Sequence, residues 1–203
     1  MKSIVISIRP EHALNILNGS KTLELRKSVP KGYVGWVYGY VTKGKHELYF
    51  NTKNKEYVLC DNTTNITYYD KDFQEAMNSD LLNGTIPFRF WFEEYISYKY
   101  YADDNTYFVK RPQDFGYGAE GVLKSLCLTR DEFKEYGQGK DLYAWHIKKL
   151  EVFDKPMKLE EFQNYMPKSN DIPEALITSS WQILHQPLTK APQSWQYVYV
   201  KGE

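Results

Sequence analysis

The sequence predicts an α+β domain, a mixed or antiparallel β-barrel decorated by short helices. Three observations point there. Apolar and aromatic residues recur at period two in several short runs, which is the strand signature. Between those runs lie brief stretches of helical spacing, each closed by a glycine or opened by a capping residue. The 18 Tyr, 10 Phe and 5 Trp among 203 residues supply the ring area for a core. Closing seven or eight short strands into a barrel buries their faces without leaving long free edges.

Taken in order, Ser3–Ile8 (SIVISI) is a β-branched run ending at Arg9-Pro10, and predicts a buried strand. Pro10 suits a first helical turn, where its missing N–H has no partner to lose. Ala13, Leu14 and Leu17 follow at helical spacing, Leu14 and Leu17 turned inward, and Gly19 stops the helix. Leu23–Leu25 is a brief strand and Pro30-Lys31-Gly32 a turn. In the strand Val34–Val41, Gly35 and Gly39 leave room for a close neighbour. Glu47–Asn51 and Glu56–Leu59 flank a polar turn and read as a hairpin. Asp70 caps a short helix through Phe73, Ala76 and Met77. Thr85–Tyr101 predicts one long half-buried strand, with Phe88, Phe90 and Phe92 on one side and Arg89, Trp91 and Glu93 on the other. Arg111–Gly118 is turn chemistry, followed by a short helix over Ala119–Leu126. Thr129 and Glu132 form a capping box for a helix through Tyr136 that ends at Gly137. Leu142–Ile147 and Val152-Phe153 are strands, Leu159–Tyr165 is a short helix, and Trp195–Val200 is a closing strand. Four prolines break residues 166–192 into loops around one helix near Glu174–Leu184.

Composition narrows the function classes. With 26 basic and 26 acidic side chains the chain is not a generic polyanion binder. Mean hydropathy is −0.61 and no apolar run approaches the roughly 18 residues that span a bilayer. The opening MKSIVISIRPEH predicts no secretory leader, so a cytoplasmic setting is expected. Cys60 and Cys127 are too few for a disulfide scaffold or a zinc cage, and read as buried inert thiols. Charge is nonetheless uneven: residues 1–45 hold eight basic side chains and two acidic ones. A cationic face on a neutral protein suits a specific anionic ligand, or is uneven solvated charge.

Lys21, Thr22, Glu24 and Arg26 follow the glycine stop within a few residues. On an extended strand Thr22, Glu24 and Arg26 share one face, and Lys21 leans over it from the turn. Such a cluster recognises a polar planar ligand, polarises a carbonyl, or forms a solvated edge in which Glu24 pairs across strands.

The stretch SIRPEHALNILNGSKTLELR resembles the opening of the ASCH domain family, a strand and a glycine-ended helix before G-x-K-x-x-(T/E)-x-R, with Gly19, Lys21, Glu24 and Arg26 at the motif positions. LTRDEFKEY, LYAWHIKKLEVFDKPMKLEEF and PQSWQYV resemble the later parts of bacterial and phage members. The resemblance implies a single PUA-like domain over residues 1–203, with atypical insertions around 42–118 and 166–190. It also implies binding of RNA or a modified nucleobase in a basic cleft beside the first helix. A bacterial branch of the family hydrolyses N4-acetylcytidine with a lysine, a threonine and a later glutamate. Lys21 matches the lysine, Glu24 stands at the threonine position, Thr22 lies two residues away, and Glu120 is a loose match for the later acid.

Other chemistry is sparse. His12, His46, His146 and His185 show no metal-ligand spacing and read as structural or surface histidines, so no metal or cofactor is expected. There is no G-x-S-x-G, P-loop or G-x-G-x-x-G, and Phe115–Gly118 reads as a flexible loop. Trp36 and Trp195 are either core residues or stacking surfaces beside Lys21 and Arg26. Three functions are carried forward. The first is an RNA or modified-nucleoside binder using Lys21, Glu24, Arg26, Trp36 and Trp195. The second is a hydrolase or ribonuclease using Lys21, Thr22, Glu24 and Glu120. The third is a protein-interaction module using the aromatic strand at 85–101 or the loops at 166–190.

Overall fold

A computed structural model describes residues 1–61, 79–103, 106–109, 119–165 and 186–201. The first half runs β1 (Lys2–Ile8), α1 (Pro10–Leu17), β2 (Leu23–Arg26), β3 (Gly35–Val41), β4 (His46–Asn51), β5 (Glu56–Asp61), β6 (Ser79–Leu81) and β7 (Ile86–Phe92). The second half runs β8 (Tyr95–Tyr101), β9 (Thr106–Val109), α2 (Ala119–Leu126), α3 (Arg130–Gly137), β10 (Leu142–His146), β11 (Lys148–Met157), β12 (Phe162–Asn164) and β13 (Trp195–Val200). The class is α+β. The helices expected around Asp70 and Glu174–Leu184, and the 115–118 loop, lie outside the described residues.

Strand pairing among the described residues forms three sheets, with no pairing that closes them into one barrel. The largest has the order β11-β7-β3-β1-β13-β12, the second β2-β10-β8-β9, and the third β5-β4-β6. Among the described residues only β1 and β3 pair in parallel, because α1 and β2 carry the chain across between them. The expected single strand over 85–101 divides at Glu93-Glu94. Its first part stays with β3 while β8 joins β10. Both carboxylates turn toward Lys148 there, at 2.7 and 2.6 Å. The expected helix at 159–165 shrinks to a 3-10 turn over Leu159–Glu161, since Phe162 is drawn into the core opposite Val200. Two further short strands, β6 and β9, complete the sheet edges.

Period two explains the packing. Ile4, Ile6 and Ile8 of β1 join Val37, Val41, Phe88, Phe90 and Phe92 in one cluster, and α1 covers it with Ala13 and Ile16. Full burial of each large apolar side chain contributes roughly 1.5–3 kcal/mol. Leu14 and Leu17, expected to lead that face, are half-buried at its margin. Gly39 permits the close approach its sequence position predicts: a Cβ there would sit 2.4 Å from the Phe88 ring. A second cluster sandwiches Leu23, Leu25, Ile96, Leu142 and Ala144 against Val122, Leu126 and Phe133 of α2 and α3. Leu23 and Leu25 therefore fix which way β2 faces, and Glu24 and Arg26 project the opposite way.

Candidate functional site

That opposite face of β2 opens on a cavity of about 580 Å³ walled by the end of β1, the first turn of α1, and α3. Three chain features place Lys21 in its wall. Gly19, at φ +78°, ends α1. The Lys21 backbone N–H donates to Asn15 O at 2.8 Å, and the Thr22 N–H donates to Ser125 O at 2.9 Å. Lys21 Nζ then donates to Leu126 O at 2.6 Å, at the carbonyl end of α2, where the helix dipole favours a cation. Lys21, Glu24 and Arg26 are only 3, 4 and 8% exposed.

The trio is linked through Glu24. Arg26 donates from one terminal nitrogen to Glu24 Oε1 at 2.9 Å and to Ser7 O at 2.6 Å. Lys21 Nζ lies 3.6 Å from Glu24 Oε2, beyond good hydrogen-bond geometry. Glu24 Oε2, Arg26 Nε and His12 Nδ1 are all buried without a hydrogen-bond partner among the described residues. Each such group in a protein interior costs roughly 1–3 kcal/mol. All three residues line the one cavity.

The remaining wall sets the electrostatics. Its lining holds four basic residues (Arg9, Lys21, Arg26 and Lys27) and four acidic ones (Glu11, Glu24, Glu132 and Glu135). The cleft is therefore charge-balanced rather than basic, because α3 brings in carboxylates opposite the N-terminal cations. Burial, and secondarily the Lys21 ammonium, lowers the His12 pKa from its usual 6.5, so the imidazole is held neutral. Thr129, donating from its backbone and its hydroxyl, holds Glu132 below the usual carboxylate range. The backbone bond is one half of the expected capping box, and the other is the Glu132 N–H, which donates to Thr129 Oγ1 at 3.2 Å. Burial raises Tyr136, and the phenol stays protonated although Arg26 acts the other way.

The structure brings Lys21, Glu24 and Arg26 together and leaves the other sequence candidates elsewhere. Thr22 is exposed and does not line the cavity, nor does the exposed Glu120. Trp36 packs edge-on against Trp91 at 5.3 Å on another part of the molecule, with the Arg89 guanidinium 4.2 Å from its ring. Trp195 contacts the Trp145 ring at 5.8 Å and donates from Nε1 to Ser28 Oγ at 2.9 Å, just outside the cavity. Sequence reading missed His12, Glu135 and Tyr136. Their signals were present: His12 sits in the first turn of the helix that precedes the Lys21 cluster, and Glu132, Glu135 and Tyr136 recur at three and four on one helix face. Cys60 and Cys127, expected to be buried, are both only half-buried. No described helix is long and apolar enough to cross a membrane, and no His/Cys/Asp/Glu group among the described residues could hold a metal.

No family model matches the chain, and no curated protein matches it. Among solved structures, the chain is similar to the crystal structure of ASCH from Zymomonas mobilis. They share 13% identity over 97% of this chain and 87% of that one, with a TM-score of 0.49. A tyrosine-to-phenylalanine mutant of the same ASCH gives 13% identity over 98% of this chain and 91% of that one, also at 0.49. At that identity the likeness transfers no residue's role.

Proposed function

We propose that the cavity binds a nucleobase, carried by RNA or by a free modified nucleoside. The observation behind this reading is the set of unpartnered buried groups on one wall. Arg26 Nε is an unused donor and Glu24 Oε2 an unused acceptor on two residues that line the cavity, and neutral His12 adds one more polar nitrogen. A base edge presents both donors and acceptors. Charge balance in the wall supports a polar, largely uncharged group over a bare phosphate. Cavities of about 300–1,000 Å³ are the ordinary size for small-molecule sites. The ASCH resemblance implies the same ligand class.

Calorimetric titration of the four nucleoside 5′-monophosphates and N4-acetylcytidine tests it. At least one should bind, and Glu24→Gln should weaken that binding about tenfold or more, the scale of a hydrogen bond to a charged group. Absence of binding by all five ligands would remove the reading. The hydrolase alternative has one observation on its side, the neutral His12 beside Lys21 and Glu24, although Thr22 and Glu120 stand outside the cavity. Chromatography of the same mixtures decides between the two: a deacetylated or cleaved product makes the cavity an active site.

A further inference from the structure

A second concavity, of about 460 Å³, is lined by Lys2, Asn164, Tyr165, Trp195, Gln196 and Tyr197. Three of its six lining residues are aromatic. Trp195 and Tyr197 meet edge-on with ring centroids 5.5 Å apart, and the Lys2 ammonium stands 3.8 Å from the Tyr197 centroid and 4.6 Å from that of Tyr165. The strand β13 explains the grouping: Trp195 and Tyr197 lie two apart and share a face, and Lys2 pairs in register with Tyr199 on β1.

This patch adjoins the base-binding cavity through two bonded seams. Ser7, whose carbonyl holds Arg26, donates its own N–H to Ser194 O at 2.9 Å, directly before Trp195. Ser28, two residues beyond Arg26, accepts the Trp195 indole N–H at 2.9 Å. Two residues of chain span at most about 7 Å, so the cavity wall and the aromatic wall are close neighbours.

We propose that this aromatic patch is a stacking platform for the nucleotide adjacent to the one in the cavity, which makes the ligand a single strand of RNA rather than a free nucleoside. The proposal rests on the base-binding reading above. Rings and an ammonium in one shallow hollow are the two elements by which proteins hold unpaired bases: ring faces for stacking and a cation for the linking phosphate. An ammonium has three donors, and a cation–π contact leaves N–H groups free for phosphate oxygens. Stacking is indifferent to base identity, so the platform adds dependence on strand length while the cavity retains any base choice.

The test compares each 5′-monophosphate with the trinucleotide of the same base by calorimetry. The wild-type protein should bind the trinucleotide about tenfold more tightly or better. In the double variant Lys2→Gln/Tyr165→Ala that ratio should fall close to one. The salt dependence of trinucleotide binding should also become shallower, by about 0.7 in the log–log slope for one lost phosphate contact. Equal wild-type affinity for the two ligand lengths overturns the platform while the cavity reading stands, and this comparison needs no variant. A double variant that folds and keeps its tenfold ratio overturns it too. If neither ligand length binds, the cavity reading and the platform fall together.

Discussion

Two clusters of opposite charge, one inside the molecule and one on its surface, make an instructive pair. On β2, Glu24 holds Arg26 at 2.9 Å and Lys21 at 3.6 Å. At the β7–β8 corner, Lys148 meets Glu93 and Glu94 at 2.7 and 2.6 Å. By distance the surface cluster looks stronger. Its side chains, however, are 39–53% exposed, against 2–10% for the buried trio. Water screens the first set, and the second interacts across a medium of far lower polarisability. Burial therefore ranks these ion pairs, and distance does not. The two clusters differ also in completeness. Lys148 is bonded to both carboxylates and Glu93 takes the Trp91 indole N–H at 3.1 Å, whereas the buried set keeps Glu24 Oε2 and Arg26 Nε unmatched. The finished cluster ties a corner together, and the unfinished one borders a cavity.

The sharpest way to break this comparison is Glu24→Ala. It strands a guanidinium and an ammonium in the interior, and losing one partner of a buried pair costs roughly 3–5 kcal/mol. In a chain of 203 residues the melting temperature should fall by roughly 6–20 °C. Thermal unfolding followed by circular dichroism measures it. A fall of less than about 2 °C would mean the trio contributes almost nothing, and burial would not be what separates the clusters.

The same contrast marks what was legible in the sequence. β1, α1 and β13 were readable because their signals are local: alternation in SIVISI and WQYVYV, and a proline start with a glycine stop around α1. The capping box of Thr129 and Glu132 was readable for the same reason. The division at Glu93-Glu94 was not, since period two continues smoothly through the aromatic run, and only pairing with β3 and with β10 separates its halves. Closure was also illegible: strand count predicts that edges must be hidden, not whether one barrel or three sheets hides them. At the site, Lys21, Glu24 and Arg26 stand within six residues and could be grouped by spacing. Glu132, Glu135 and Tyr136 arrive from more than a hundred residues away, so the balance of charge in the cavity depends on tertiary packing. Thr22 shows the converse. Alternation placed it with Glu24 and Arg26, but it precedes β2, and its backbone bond to Ser125 leaves the side chain in solvent.

A smaller effect, dependent on pH, sharpens the buried side of the comparison. His12 is faced by Lys21, Glu24, Glu11, Arg9 and, from α3, Glu132. Burial and Lys21 outweigh the carboxylates, so the pKa lies below 6.5 in the folded protein. As pH falls below 6.5 the unfolded chain takes up a proton at this residue that the folded one resists. The stability tied to neutral His12 is thus complete above that pH, and it is lost as pH drops through the depressed folded value. Melting temperatures measured from pH 8 to pH 5 should decline on the acid side, and His12→Gln should flatten that decline. An identical slope in the variant would show that other groups carry it.

The smallest effect belongs to the surface cluster and is the control for the rest. Glu93 and Glu94 push the Lys148 pKa above the usual lysine range, and Lys148 holds Glu93 below the carboxylate range. Those shifts describe short contacts in open solvent, where two long side chains must also be ordered to meet. Lys148→Gln should leave the melting temperature unchanged within measurement error, because the backbone corner remains held by β7 pairing with β11 and β8 with β10. Raising the salt concentration should also leave it unchanged within measurement error, since an exposed pair of this kind contributes only about 0–1 kcal/mol to begin with. A loss approaching that of Glu24→Ala would mean the corner, and not the cavity, holds the sheets in place, and short distance would regain its standing as the measure of an ion pair.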